Sequence, residues 1–117
     1  MVVRQGEIYW LNLPKPKGSE PGYRRPCVVV QNDTFNRSRI ATTVVVILTS
    51  NLRLAQAPGN VLIKAGDTNL SKDSVANISQ VLTVNKSDLK LDEKIGEIGT
   101  ENLEKILRGL MFLFSKV

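Results

Sequence analysis

Thr42-Thr43-Val44-Val45-Val46-Ile47-Leu48 is the most β-branched run in the chain. Branching at Cβ restricts χ1 and suits the pleated surface of a strand. A run that stays apolar at successive positions is covered on both faces. The run therefore predicts a central strand. On its N-terminal side, Pro26–Gln31 (PCVVVQ) predicts a second buried strand, with Pro26 at its start where no ladder donor is missed. Gly6–Leu13 (GEIYWLNL) predicts a third, bounded by Gly6 and Pro14. On its C-terminal side lie a short strand at Asn60–Lys64, a longer bent strand or two short ones over Ser74–Val84, and a short strand at Lys94–Ile98. Asn85–Leu89 fits one helical turn.

The end of the chain has a different period. Leu103, Ile106, Leu107, Leu110 and Phe114 recur at helical spacing, with Met111 on the border and Phe112 off the stripe. Thr100 can cap the helix start, and Glu101 and Glu104 suit the positive end of its dipole. The expected fold is mainly β with α: one helix on a small antiparallel sheet. Any apolar face left over suits a partner subunit. No repeat or linker divides the chain, so residues 1–117 are expected to form a single domain.

Between the first two strands runs Pro14–Arg24 (PKPKGSEPGYR), with three of the five prolines and two glycines. It must be a loop, and long loops in compact domains tend to be functional. Charge gathers around it. Residues 1–40 carry Arg4, Lys15, Lys17, Arg24, Arg25, Arg37 and Arg39 against three acids, a balance of +4. The remaining residues carry nine basic and eight acidic side chains. Such a cationic region favours a polyanion, either nucleic acid or an acidic protein tail.

Composition excludes much. The chain has no histidine and one cysteine, which removes Ser-His-Asp and Cys-His triads, internal disulfides and zinc sites built from those two residue types. No metal site or cofactor is expected. No G-x-x-x-x-G-K-[ST] or G-x-G-x-x-G loop occurs. Asp92 and Glu93 are read as solvated, and Asp67 and Asp73 as ordinary loop acids. Cys27, beside a valine run, is read as a buried small hydrophobe. The start lacks the apolar core of a signal peptide and no run is long enough to span a bilayer, so a cytoplasmic location is expected.

An ordered set of motifs carries a resemblance. Gly6-Glu7-Ile8-Tyr9-Trp10 is followed by Gly18-Ser19-Glu20, then Arg25-Pro26 and Val28-Val29-Val30-Gln31-Asn32-Asp33. A strand ending Leu48-Thr49-Ser50 comes next, then Asp73-Ser74-Val75, Gln80 and Lys94-Ile95-Gly96. The whole set resembles the MazF/PemK family of toxin endoribonucleases. The resemblance implies the MazF/CcdB-like toxin fold, an SH3-like small barrel of antiparallel strands with a C-terminal helix. It also implies a homodimer and metal-independent cleavage of single-stranded RNA at a short motif. In that reaction the 2′-hydroxyl attacks the adjacent phosphorus, leaving a 2′,3′-cyclic phosphate and a 5′-hydroxyl. The substrate supplies its own nucleophile, so the lack of histidine is tolerable.

By the same resemblance the catalytic pair is Arg25 and Thr49. The planar guanidinium of Arg25 suits two phosphate oxygens as charge builds, and Thr49 offers a hydroxyl to the same oxyanion. Ser19, Glu20 and Arg24 on the loop, with Asn32 and Gln80, are the candidate RNA-binding residues. Asn32 and Gln80 fit turn capping and sheet-edge hydrogen bonding equally well. Tyr23 offers a ring for stacking. The resemblance breaks at Ser79, Leu82 and Asp88, near the expected base-reading surface. Implied partners are the RNA and a cognate acidic antitoxin (MazE-like), with DNA met only through the antitoxin complex and no membrane. Two other readings remain: a non-cleaving toxin of the same fold that binds DNA gyrase, and an SH3-like nucleic-acid-binding module.

Overall fold

The computed structural model describes residues 2–14, 18 and 23–116. Six strands make one sheet: β1 (Glu7–Leu13), β2 (Tyr23–Val29), β3 (Thr42–Thr49), β4 (Val61–Ile63), β5 (Ser74–Asn85) and β6 (Lys94–Glu97). Their order is β4-β5-β3-β2-β1-β6, and every neighbouring pair is antiparallel. A short helix, α1 (Asp33–Asn36), follows β2, and a longer one, α2 (Thr100–Leu113), closes the chain. The β-branched run is indeed the middle of the sheet, and the mainly β architecture with a C-terminal helix agrees with the sequence.

Both faces of the sheet are covered. Ile8, Val28, Val46, Leu48 and Ile78 pack on one side beneath α2, whose Ile106 is fully buried. Burying such a side chain is worth about 1.5–3 kcal/mol. Tyr9, Leu11, Cys27, Val45 and Ile47 form a second core on the other side. Period-2 alternation sends odd and even positions of β1 to the two cores, which is why neither face of that strand reads as polar. Cys27 is buried as expected, and its thiol is pushed up to about 12 by that burial.

Several local expectations shift. β2 begins at Tyr23, so Pro26 lies inside it, opposite Trp10. Pairing with β3 starts only at Cys27, which leaves Pro26 a free flank where its missing N–H costs little. Gly99, not Thr100, is the α2 N-cap, with no side-chain cap hydrogen bond. Phe114 caps the other end of α2 and is exposed, as are Met111, Phe112 and Leu113. β5 is one strand with a break in its pairing opposite Val46–Leu48, the bend that the sequence left open.

The close approach of α2 to the turn before β4 depends on two glycines. Gly59 takes φ +76°, and a Cβ on Gly109 would overlap its carbonyl oxygen.

Candidate active site

β2 and β3 run together to Cys27–Ile47 and then part. The same register continued by two residues sets Arg25 across from Thr49. A cavity of about 380 Å³ opens where the strands separate. Trp10, Arg24, Arg25, Pro26, Leu48 and Ser50 line it, together with Asn69, Leu70, Ser71 and Lys72 from the connection before β5. Thr49 does not line it, although its neighbours Leu48 and Ser50 do; by strand alternation Thr49 shares a sheet face with Arg25. The larger groove, about 1040 Å³, lies elsewhere, between β4 and α2.

The two neighbouring arginines differ. Arg24 belongs to β2 rather than to the loop, because the strand reaches back to Tyr23 and pairs Arg24 with Asn12. Its guanidinium lies 4.9 Å from the Trp10 ring centroid, donates to Asn12 Oδ1 and pairs with Glu93. Glu93, read from the sequence as solvated, is thus an ion-pair partner. The hydrogen bond from Arg24 holds its carboxyl below the usual range. Arg25 alternates to the opposite side of the strand. Among the described residues its side chain has no hydrogen bond or ion pair, which leaves its five donors for a ligand.

Thr49 Oγ1 accepts the backbone N–H of Asn51 at 3.2 Å, which fixes the hydroxyl while its own proton stays available to donate. Asn51 in turn accepts from the Arg53 N–H and starts the short 3-10 turn Leu52–Gln56. Tyr23, just upstream of the arginines, has φ +61° and a side chain 63% exposed. Left-handed backbone at a bulky residue is rare and collects at functional sites.

The RNA-binding candidates divide. Ser19 and Glu20 lie outside the described residues, as do Lys15 and Lys17. Arg24 lines the cavity. Asn32 lies at the far end of β2, about 20 Å from Arg25 at roughly 3.3 Å per residue. There its Oδ1 accepts the Thr34 N–H at 2.8 Å and caps α1, the turn-capping use left open above. Gln80 is half-buried in the break in β5 and does not line the Arg25 cavity. Lys72, Asn69 and Ser71 do line it and were not singled out from sequence. The only available signal was the adjacency of Lys72 to the Asp73-Ser74-Val75 motif.

The opposite end of the same strands is tied down. Glu7, buried, pairs with Lys94 Nζ at 2.8 Å through Oε2. Through Oε1 it accepts the Arg4 N–H at 2.7 Å and the Tyr9 hydroxyl at 3.0 Å. The carboxylate raises the Lys94 pKa, and burial followed by the Glu7 bond raises that of Tyr9. Asp33 accepts the Gln5 N–H at 2.7 Å. Burial alone would raise its pKa, but that bond, Asn36 and nearby arginines hold it low. No buried side-chain polar atom lacks a partner among the described residues.

Comparison with known proteins identifies the fold and the family. Two relatives, Endoribonuclease MazF2 of Mycobacterium bovis and Endoribonuclease MazF6 of Mycobacterium tuberculosis, are each 44% identical over 110 residues, covering 94% of this chain and 95% of theirs. A mycobacterial endoribonuclease solved in complex with its cognate antitoxin superposes with TM-score 0.75 at 24% identity, over 98% of this chain and 99% of that one. MazF from Deinococcus radiodurans superposes with TM-score 0.77 at 22% identity, over 97% and 96%. The fold is that of these toxins. The model of the family described as the PemK-like, MazF-like toxin of type II toxin–antitoxin systems matches residues 4–114, and the chain belongs to that family.

Proposed function

We propose that the chain is a sequence-specific endoribonuclease toxin that cleaves single-stranded RNA without a metal, with Arg25 and Thr49 as its catalytic pair. The observation that carries this is the Arg25 guanidinium, unpaired among the described residues, on a residue that borders the cavity and lies across the continued β2–β3 register from Thr49. The 2′-oxygen bonds to phosphorus as the P–O5′ bond breaks. The 2′-hydroxyl gives up its proton to a base, for which Glu20 is the carboxylate candidate, and O5′ takes up a proton as it leaves. Between these steps the phosphorus carries extra negative charge on its free oxygens. Arg25 meets that charge with two parallel N–H donors and Thr49 with one O–H. Products are a 2′,3′-cyclic phosphate and a 5′-hydroxyl, and the cleaved RNA is lost to translation.

The partners follow from charge and apolar surface. The cationic first third favours an acidic antitoxin tail that competes with RNA for the same groups. The exposed run Met111–Phe114 favours a homodimer that covers it. The cytoplasm is the expected location, and no described helix is long and apolar enough to cross a membrane.

The test is incubation of a long single-stranded transcript with purified protein in EDTA, followed by end mapping. Cuts at a recurrent motif leaving cyclic phosphates, lost in Arg25→Ala, support the assignment. An Arg25→Ala protein as active as wild type overturns it. Gyrase inhibition without any RNA cleavage would favour the non-cleaving toxin instead.

A further inference from the structure

Of the proposed catalytic pair only Arg25 lines the 380 Å³ cavity, and its other lining residues have no role in the cleavage step. We propose that the remainder is a nucleotide subsite, in which Lys72 holds a second phosphate of the RNA strand and Asn69 reads the edge of an unstacked base. This rests on the RNA-cleaving reading of Arg25 and deepens it.

Four features of the cavity point there. Its volume is in the range of small-ligand sites, roughly 300–1,000 Å³. Among the described residues no carboxylate lines it. Three cations do line it, and Glu93 neutralises one of them, Arg24. That leaves Arg25 and Lys72 for an anionic strand. The rest of the lining mixes apolar and polar groups as a nucleotide does. Trp10, Pro26 and Ile95 offer apolar surface for a base face. Asn69 and Ser71 offer donors and acceptors for a base edge.

The backbone around Lys72 is held although its side chain is exposed. The Asp73 carboxylate accepts the Ala65 N–H at 2.8 Å. The Lys72 carbonyl accepts the Ser74 hydroxyl at 3.2 Å. Neither bond uses the ammonium. Among the described residues the ammonium has no ion-pair partner. A cation on an anchored backbone, unpaired and lining the same cavity as Arg25, suits a phosphate that arrives with the substrate.

The experiment uses the intact chain and a 2′-O-methyl RNA oligonucleotide, whose blocked nucleophile allows binding without cleavage. Affinity is measured across a salt series for wild type, Lys72→Ala and Lys72→Arg. Each phosphate contact on a single strand contributes about 0.7 to the slope of log K against log salt. Lys72→Ala is expected to lower the slope by about that amount, and Lys72→Arg to restore it. Asn69→Ala, end-mapped on a long transcript, is expected to relax the cleavage motif at one position by at least about five-fold. An unchanged slope in Lys72→Ala together with an unchanged motif in Asn69→Ala overturns the subsite while leaving Arg25-dependent cleavage in place. If Lys72→Ala weakens binding of a polyglutamate peptide but not of RNA, the cavity is an acidic-peptide site and the subsite is overturned. A wild-type chain that neither binds nor cleaves RNA removes the cleavage reading and the subsite with it.

Discussion

The two ends of the β1–β2–β3 ladder are built on opposite principles. At the Glu7 end the carboxylates are spent inside the protein. Glu7 is shared by Lys94, Tyr9 and the Arg4 backbone, and Asp33 by Gln5 and Asn36. Asn36 also accepts from Thr43 and Gln31. At the Arg25 end the strands separate, Tyr23 takes a left-handed backbone, and Arg25 and Lys72 face a cavity without a carboxylate. Satisfied polar groups rigidify, and unsatisfied ones are available to a substrate. The first end holds the sheet together so that the second can present groups it does not itself use. Arg24 marks the boundary: adjacent to Arg25 in sequence, it is engaged by Trp10 and Glu93 and belongs to the scaffold.

Substitutions should separate the two ends. The largest effect is expected at Arg25→Ala, which should lower the cleavage rate about 100- to 1000-fold, the usual loss for one oxyanion donor. Thermal denaturation should show a melting temperature close to wild type, since no structural bond is removed. Thr49→Val should cost about 100-fold for the same reason, again at near-normal stability.

Glu7→Gln should do the reverse. It removes the nearer of the two carboxylates that face Lys94, leaving Glu97 at 3.8 Å, and should destabilise by about 2 kcal/mol in urea unfolding. Activity per folded molecule should hold. If Glu7→Gln abolished cleavage at full stability, the division between the two ends would be wrong. Gly109→Ala presses a methyl group into the Gly59 carbonyl and should cost about 2 kcal/mol. It should leave the RNA cleavage motif unchanged, as read by end mapping.

The smallest effect is alkaline. Burial raises the Cys27 thiol from 9.0 to about 12. A folded-state value above the unfolded one gives stability that is fully present below pH 9 and lost as pH rises towards 12. Tyr9, also raised, acts in the same direction. The urea midpoint should therefore fall over that window, and Cys27→Ala should make the fall shallower although its starting midpoint is lower. For the same reason the native thiol should react slowly with Ellman's reagent at pH 8.

The strands were legible because their signals are local. β3 is written in its own β-branched residues and α2 in its own spacing, and each needs only its neighbours in sequence to be recognised. The ends of elements were less legible. Thr100 can cap a helix, yet Gly99 is where the chain turns. Phe114 continues the stripe, yet it ends the helix and stays exposed beside a groove shared with Val44 and Val81. Those outcomes depend on where another element stops.

The candidate site divides in the same way. The family was readable from ordered motifs, since residue type and order survive in the sequence, and the proposal of Arg25 and Thr49 rests on the same motifs. Which arginine is available was not readable. Arg24 and Arg25 are adjacent and chemically identical. Their difference comes from strand alternation and from Glu93, which lies 69 residues further along the chain. Lys72 and Asn69 were hidden for the same physical reason. A cavity is a property of surfaces brought together, and a sequence records each surface separately. By itself the sequence determined the strands, the helix and the family, and it nominated two groups for the chemistry. Only the tertiary structure decided which charges are spent on the fold and which are left for a ligand, because pairing between distant residues settles that.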